Sequence, residues 1–219
     1  MSSSIPEIKA ILFDFGIVLS GPQNRKAWQA MLDRSGLTHE ALHKHYWIYR
    51  DDYDRGTLSG REYWQKIGQD TNLSLKPYDI DALIAHDVDL WGDLNDPMIA
   101  WVTRLHAAGF RTGILSNIGD EMERGLRSRH PWITGFDHCV WSHALKLRKP
   151  ELEIYHAAAQ GLHTPPENIL FIDDKEENIA AARAAGMQGI QYTTHDAFEQ
   201  EMNRLGLAHL LNPINRLNT

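Results

Sequence analysis

The sequence contains a single cysteine, Cys139, in 219 residues. One thiol cannot close an internal disulfide, so the fold needs no oxidising compartment. An excess of positive charge is also missing: 22 Lys+Arg face 29 Asp+Glu, a formal charge of −7 with histidine neutral. An acidic chain carries no electrostatic footprint for nucleic acid or for an anionic membrane. Long apolar runs are absent too. The longest, Ala10–Phe13 and Phe15–Leu19, are split by Asp14 and fall far short of a membrane span. The N-terminus, MSSSIPEIKA, has no basic start followed by an apolar stretch, so no signal peptide is read there and a cytoplasmic protein is expected. There is no internal repeat and no low-complexity segment.

What is present is globular in kind. Hydrophobic residues make up 42% and charged residues 23%, and the length allows one sizeable core with a smaller insertion beside it. Twelve histidines mean that full protonation would carry the charge from −7 to +5, so mild acid should alter solubility.

Residues 8–19, IKAILFDFGIVL, form a nearly continuous apolar run of strand type with one carboxylate inside it. A strand buried on both faces reads this way, which points to a parallel sheet covered by helices. Further strands are expected at Phe110–Leu115, Cys139–Trp141, Asn168–Ile172 and Gly189–Tyr192. Helical patterns separate them: one opens at Asp96-Pro97 and closes at Gly109, and others cover 151–161 and 177–186. The alternation predicts an α/β fold with a doubly wound, mostly parallel five-stranded sheet. Between the first two strands lie about ninety residues without a strand pattern, far more than a simple crossover needs. Helical stretches near 23–35, 38–50, 60–69 and 79–90, broken at Gly36, Gly56 and Leu75–Pro77, make residues 20–93 a helical insertion. Residues 1–19 and 94–219 then form the core. The insertion is expected to pack on its own aromatic core, built mainly from Tyr46, Trp47, Tyr49, Tyr53, Tyr63 and Trp64.

The polar residues fall at strand ends. Asp14 lies inside the first run, Ser116-Asn117 ends the second, and Asp173-Asp174 follows the fourth. In open α/β sheets ligands bind outside the carboxyl ends of the strands, where strand order reverses. Three carboxylates in one cleft repel unless a cation sits among them, and a hard, oxygen-ligated ion such as Mg²⁺ suits that donor set. Lys149, in LRKPE, adds a positive charge. A nucleophilic carboxylate, a divalent cation, a hydroxyl and a lysine suit phosphoryl transfer, where catalysis is mainly positioning and charge neutralisation.

These residues carry a resemblance. ILFDFGIVL, ILSN, RKPE and FIDDKEENIAAARAAGM, in that order and spacing, resemble the four motifs of the haloacid dehalogenase superfamily, in its branch with a helical cap inserted after the first strand. LRKPELEIYHAA and FIDDKEEN look particularly like its small sugar-phosphate phosphatases. The resemblance covers about Lys9 to Thr193 and implies a Rossmann-like core and a Mg²⁺-dependent phosphatase acting on a small phosphorylated metabolite, as a monomer or homodimer. It implies that Asp14 is the nucleophile, forming an aspartyl-phosphate. Ser116 and the Asn117 backbone would hold the phosphoryl oxygens, and Lys149 would neutralise them. Asp14, Asp174 and the Gly16 carbonyl would hold Mg²⁺, with Asp173 ligating through water or orienting the site and Asn178 steadying the acidic loop.

One position departs from the pattern. Phosphatases of this family carry a second aspartate, the general acid and base, where this chain has Gly16. Losing a positioned acid-base costs about 10²–10⁴-fold. Good leaving groups are therefore expected, unless Asp51, Asp52 or Asp54 of the insertion lends an acid. Arg55, beside Gly56, is the insertion residue expected to touch substrate. A phospholigand-binding protein without catalysis and a hydrolytic dehalogenase are the alternatives, although the resemblance places a tyrosine at position 16 in a dehalogenase. His39-Glu40-Ala41-Leu42-His43 matches the H-E-x-x-H zinc pattern, but it begins directly behind the Thr38 cap and no third ligand accompanies it. It is read as a solvated helix.

Overall fold

The computed structural model describes residues 6–213 of the chain. β1 (Ala10–Phe13) is followed by five helices, α1 (Arg25–Ser35), α2 (His39–Ile48), α3 (Arg50–Arg55), α4 (Gly60–Asp70) and α5 (Pro77–Leu90). The rest alternates: α6 (Asp96–Ala107), β2 (Arg111–Ser116), α7 (Asp120–Arg129), β3 (His138–Trp141), α8 (Ser142–Leu145), α9 (Leu152–Gly161), β4 (Ile169–Asp173), α10 (Glu176–Ala184), β5 (Gln188–Gln191) and α11 (His195–Arg204). The five strands are all parallel, in the order β3-β2-β1-β4-β5. β1 is central, and strand order reverses across it, so the crevice of the doubly wound sheet opens at its carboxyl end.

Alternation along β1 decides the layers. Ala10 and Leu12 join Ile154, Tyr155 and Ile179 of α9 and α10 on one face. Ile11 and Phe13 face Trp101, Leu105 and Phe198 of α6 and α11 on the other. The helix boundaries follow local chemistry. Asn24 caps α1 by accepting from the Lys26 and Ala27 amides at 2.9 and 3.2 Å. Ser59 and Glu62 close a reciprocal capping box on α4. Gly36 and Gly56 end α1 and α3 in the left-handed conformation.

Two expectations are corrected. The apolar run 8–19 is not one strand: pairing stops at Phe13, Ile17 has φ +65°, and the Ser20 amide donates to the Phe15 carbonyl at 2.7 Å. The chain thus leaves the sheet in a wide turn directly behind Asp14. The aromatic residues of the insertion do not form a core of their own either. Tyr46, Tyr53, Tyr63 and Trp64 belong to the same continuous apolar cluster as Phe13 and Trp101. Tyr53 makes part of that junction, since a Cβ at Gly119, before α7, would stand 2.0 Å from its ring. Ser20 pairs with Leu94 in an antiparallel bridge where the helical segment begins and ends. Among the described residues no helix is long and apolar enough to cross a membrane.

Trp101 closes the face against the C-terminal segment. It is fully buried, its ring meets Phe13 edge-on at 5.5 Å, and its Nε1 donates to the Leu210 carbonyl at 2.7 Å. The Arg104 Nε adds a bond to the Leu211 carbonyl at 3.0 Å. So the segment after Gly206 folds onto the core as far as Leu211; residues 214–219 lie outside the described range. Trp101→Ala is expected to lower unfolding free energy by about 3–5 kcal/mol, read from denaturant titration as a shifted midpoint at unchanged slope. His106 supplies a pH signature. Burial holds its pKa below 6.5, against the opposing charge of Asp137. The unfolded chain therefore protonates more readily, and this histidine's contribution to stability is lost as pH falls through and below 6.5. His106→Gln should consequently gain thermal midpoint relative to the wild type between pH 7 and pH 5.

Candidate active site

The first site residue is fixed by the sheet. The Asp14 amide donates to the Ile172 carbonyl of β4 at 2.9 Å, and its Oδ1 accepts from the Phe15 amide at 2.7 Å. Lys149 reaches it from the loop between α8 and α9. Its ammonium lies 2.9 Å from Asp14 Oδ1 and 2.6 Å from Asp173 Oδ2, and it is only 2% exposed. Asn117, just past β2, holds that loop with both ends of its side chain: Oδ1 accepts from the Lys149 amide at 2.8 Å and Nδ2 donates to the Lys149 carbonyl at 3.0 Å. Asp173 is completely buried, and its Oδ1 accepts from the Lys175 amide and from Asn178 Nδ2, both at 2.9 Å. Both of its oxygens thus take protein hydrogen bonds, which makes it an orienting group. Asp174 is half-buried, and among the described residues no other side chain bonds its carboxylate.

Oxygens of Asp14, Asp173 and Asp174 lie within 4.8 Å of one another. Three carboxylates crowd one ammonium, and the protonation preferences register this. Burial raises the Asp14 pKa to about 7; Lys149 opposes the rise and Asp173 and Asp174 add to it. Burial, then Asp173, also raise Asp174. Burial lowers Lys149, but Asp14 and Asp173 outweigh it and the ammonium is held. The donor set is all oxygen, as a hard divalent cation requires, and such an ion would ease the repulsion among the carboxylates. The residues present therefore fit Mg²⁺, with Asp14 and Asp174 carrying the available carboxylate oxygens.

These groups line a cavity of about 220 Å³ together with Gly16, Ser116 and Asn117. The Ser116 hydroxyl, at the end of β2, has no protein partner among the described residues. From the helical segment the cavity receives Trp47, Arg50, Asp51, Asp54 and Trp91. A Cβ at Gly16 would meet the Trp91 ring at 3.7 Å, an ordinary contact, so the direction in which a side chain would project from position 16 ends on an indole. Trp91 is held by its Nε1, which donates to Tyr46 Oη at 3.0 Å. Tyr46 in turn donates to Asp87 at 2.7 Å and accepts from Arg50. Arg50 Nε donates to Asp54 at 2.9 Å.

The expected site residues divide accordingly. Asp14, Gly16, Ser116, Asn117, Lys149 and Asp174 line one cavity, with Asp173 bonded to Lys149 behind it. Arg55 does not join them. Its guanidinium pairs with Glu151 and donates to the Lys146 carbonyl at 3.1 Å, tying the helical segment to the core. Arg50 is the arginine of that segment that reaches the cavity. Asp51 and Asp54 line it, Asp51 pairing with Arg148 at 2.7 Å, whereas Asp52 accepts from Thr57 at its own helix end. Burial raises Asp54 to about 6, with Arg50 opposing and Asp87 assisting. His39 and His43 are exposed, and among the described residues the acidic trio is the only cluster of three or more such side chains able to hold one ion. Trp91, Arg50 and Ser142 were not singled out from the sequence. The Ser142 hydroxyl accepts from the Ile118 amide at 2.8 Å and donates to the Asp54 carbonyl. Its partners lie 24 and 88 positions away, so no local pattern marks it.

A family model described as haloacid dehalogenase-like hydrolase matches residues 8–186. A sesquiterpene phosphatase of Aspergillus oryzae is 26% identical over 201 residues, covering 90% of this chain and 96% of that protein. A drimenol cyclase of Aspergillus calidoustus is 25% identical over 207 residues; the match covers 90% of this chain but only 36% of that longer protein. An (S)-2-haloacid dehalogenase of Pseudomonas sp. is 27% identical over 142 residues, 62% of this chain and 63% of its own. Among solved structures, a HAD family enzyme of Bacteroides thetaiotaomicron in complex with magnesium and inorganic phosphate superposes with a TM-score of 0.73 at 19% identity, covering 86% of this chain and 96% of its own. With its motifs, its sheet order and the family-model match over residues 8–186 in agreement, the chain belongs to the haloacid dehalogenase-like hydrolases.

Proposed function

We propose that the chain is a Mg²⁺-dependent phosphatase of a small phosphorylated metabolite, with Asp14 as nucleophile. The observation that carries the reading is the donor set: carboxylate oxygens of Asp14, Asp173 and Asp174 within 4.8 Å of one another around the buried Lys149 ammonium, beside the Ser116 hydroxyl. A bound Mg²⁺ would supply the charge neutralisation that a phosphoryl group needs beside carboxylates. Asp14 attacks phosphorus through a carboxylate oxygen, and the bond from phosphorus to the leaving oxygen breaks with its electron pair staying on that oxygen. The Ser116 hydroxyl and the Lys149 ammonium hold the non-bridging oxygens during this transfer. Water then attacks the phosphorus of the aspartyl-phosphate, and inorganic phosphate leaves with Asp14 regenerated. Asp173 keeps Lys149 aimed, and Asn117 fixes the backbone from which it projects.

Gly16 sets the leaving-group preference. With the Trp91 ring opposite it, no proton donor projects from position 16, so leaving groups that are stable as anions are favoured: acyl, aryl or anomeric oxygens. The sesquiterpene phosphatase and the magnesium–phosphate complex among the relatives support the phosphatase class. Haloacid dehalogenases are relatives as well, but the acidic pair Asp173-Asp174 and the glycine at 16 favour phosphoryl chemistry over theirs.

Phosphate release should depend on Asp14 and Mg²⁺ and fall steeply with leaving-group pKa, with alkyl phosphates about 10²–10⁴-fold slower than aryl or acyl phosphates. Asp14→Asn is the control, and chloride release from a 2-chloroalkanoate is expected to be absent. Brisk turnover of alkyl phosphates overturns the leaving-group reading. Binding of phosphorylated ligands without turnover of any ester makes the chain a binding protein. Mg²⁺ at a hundred times its dissociation constant should stabilise the fold by about 2.7 kcal/mol. At roughly 2–4 °C per kcal/mol for this size, scanning calorimetry should register the shift, and Asp174→Asn should abolish it.

A further inference from the structure

A second concavity, of about 670 Å³, adjoins the active-site cavity and shares two wall residues with it, Ile17 and Trp91. Its other apolar surface is Trp28 and Pro22, and His39 and His43 stand at its rim. These side chains are set in a row. The ring of Trp28, on α1, meets those of His39 and His43, on α2, at 5.7 and 6.3 Å, and the two imidazoles lie within 9° of parallel. Trp28 also packs edge-on against Tyr46 at 5.7 Å, the residue whose hydroxyl accepts from Trp91. One buried tyrosine thus positions both tryptophan walls.

Size separates the roles of the two spaces. The cavity around Asp14, at about 220 Å³, is smaller than the roughly 300–1,000 Å³ of a typical small-molecule pocket. It suits a phosphoryl group and the atoms next to it. Any larger leaving group must extend beyond it, and the groove that shares Ile17 and Trp91 with it lies next to it. Half-buried indoles and a proline offer such a group apolar contact, with Gln23, Asn24, Arg25 and Gln29 supplying the polar border. Position 16 points the same way: a Cβ there would meet the Trp91 ring at 3.7 Å, so an apolar ring and not a carboxylate stands on that side of the cavity.

We infer that the leaving group is an extended apolar body, seated on Ile17, Trp28 and Trp91 in the groove adjoining the active site, so that the substrate is an amphipathic phosphate rather than a polar sugar phosphate. The inference rests on the phosphatase reading for its chemistry, but binding alone can test it. Methyl-, butyl- and octylphosphonate, which cannot be hydrolysed, are titrated calorimetrically into the Mg²⁺-loaded protein. Dissociation constants are expected to fall about fourfold per methylene that enters the groove, the factor equivalent to ~0.8 kcal/mol. Trp28→Ala and the rim variant His43→Glu should each reduce the methyl-to-octyl affinity ratio at least about tenfold. His43 is exposed, so its variant tests the groove even if removal of Trp28 unsettles the fold. A flat series overturns the inference, as does a steep series indifferent to both variants, which would seat the tail elsewhere. Failure of the phosphatase reading looks different: octylphosphonate binds with the expected steepness, yet octanoyl phosphate and acetyl phosphate are both left intact.

Discussion

The ammonium of Lys149, held between Asp14 and Asp173 with almost no contact with water, is the interaction on which the arrangement turns. A buried lysine without carboxylates would lose its proton, and buried carboxylates without a cation would gain one. Each therefore fixes the charge of the other. The carboxylates come from the ends of adjacent strands, β1 and β4, so the ion pair also registers the sheet's crevice against the loop that carries Lys149. That loop is held a second time, through its backbone, by Asn117 at the end of β2. Three strand ends and one loop are thus locked around a point where charge is still unbalanced, and removing any one partner exposes the others to a penalty of several kcal/mol.

The helical segment contributes differently. It meets the core through polar contacts of α3, with Arg55 on Glu151 and Asp51 on Arg148, through the Gly60 amide of α4 on Asp120, and through shared aromatic packing around Tyr53. Inside it, Tyr46 is a junction: it links Asp87, Arg50 and Trp91 in one buried network. Such networks are stiff when each member is satisfied. Stiffness here transmits to Trp91, and so to the environment facing Gly16.

Much of this was legible in the sequence, for physical reasons. Polar residues embedded in or ending apolar runs, as at Asp14, Ser116 and Asp173, mark strand ends because a buried carboxylate needs a compensating partner. The glycines at 36 and 56 mark helix ends because they accept the left-handed turn that closes a helix, and the proline at 77 marks a start because it needs no amide partner in a first turn. The turn after Asp14 escaped notice because FGIVL is as apolar as a strand, and only the backbone reversal at Ile17 sets it apart. Arg50 and Arg55 are alike in sequence, one helical turn and a little more apart, and periodicity alone cannot say which reaches the cleft. Trp91 and Ser142 act through partners distant along the chain. A single sequence holds no record of such meetings.

The antiparallel bridge between Ser20 and Leu94 brings the two ends of the helical segment side by side. The Asn95 side chain reinforces that junction, donating to the Val18 carbonyl and to the Tyr192 hydroxyl. Entry and exit at one point mean that the core's geometry is indifferent to how long the intervening chain is, since closing a longer loop adds only about 0.6 kcal/mol per doubling. Mechanically, such a segment is a cassette: its length could change while the carboxylates at the strand ends stay where the sheet puts them. The sheet fixes the strand-end carboxylates; the length of the segment above them leaves that placement untouched.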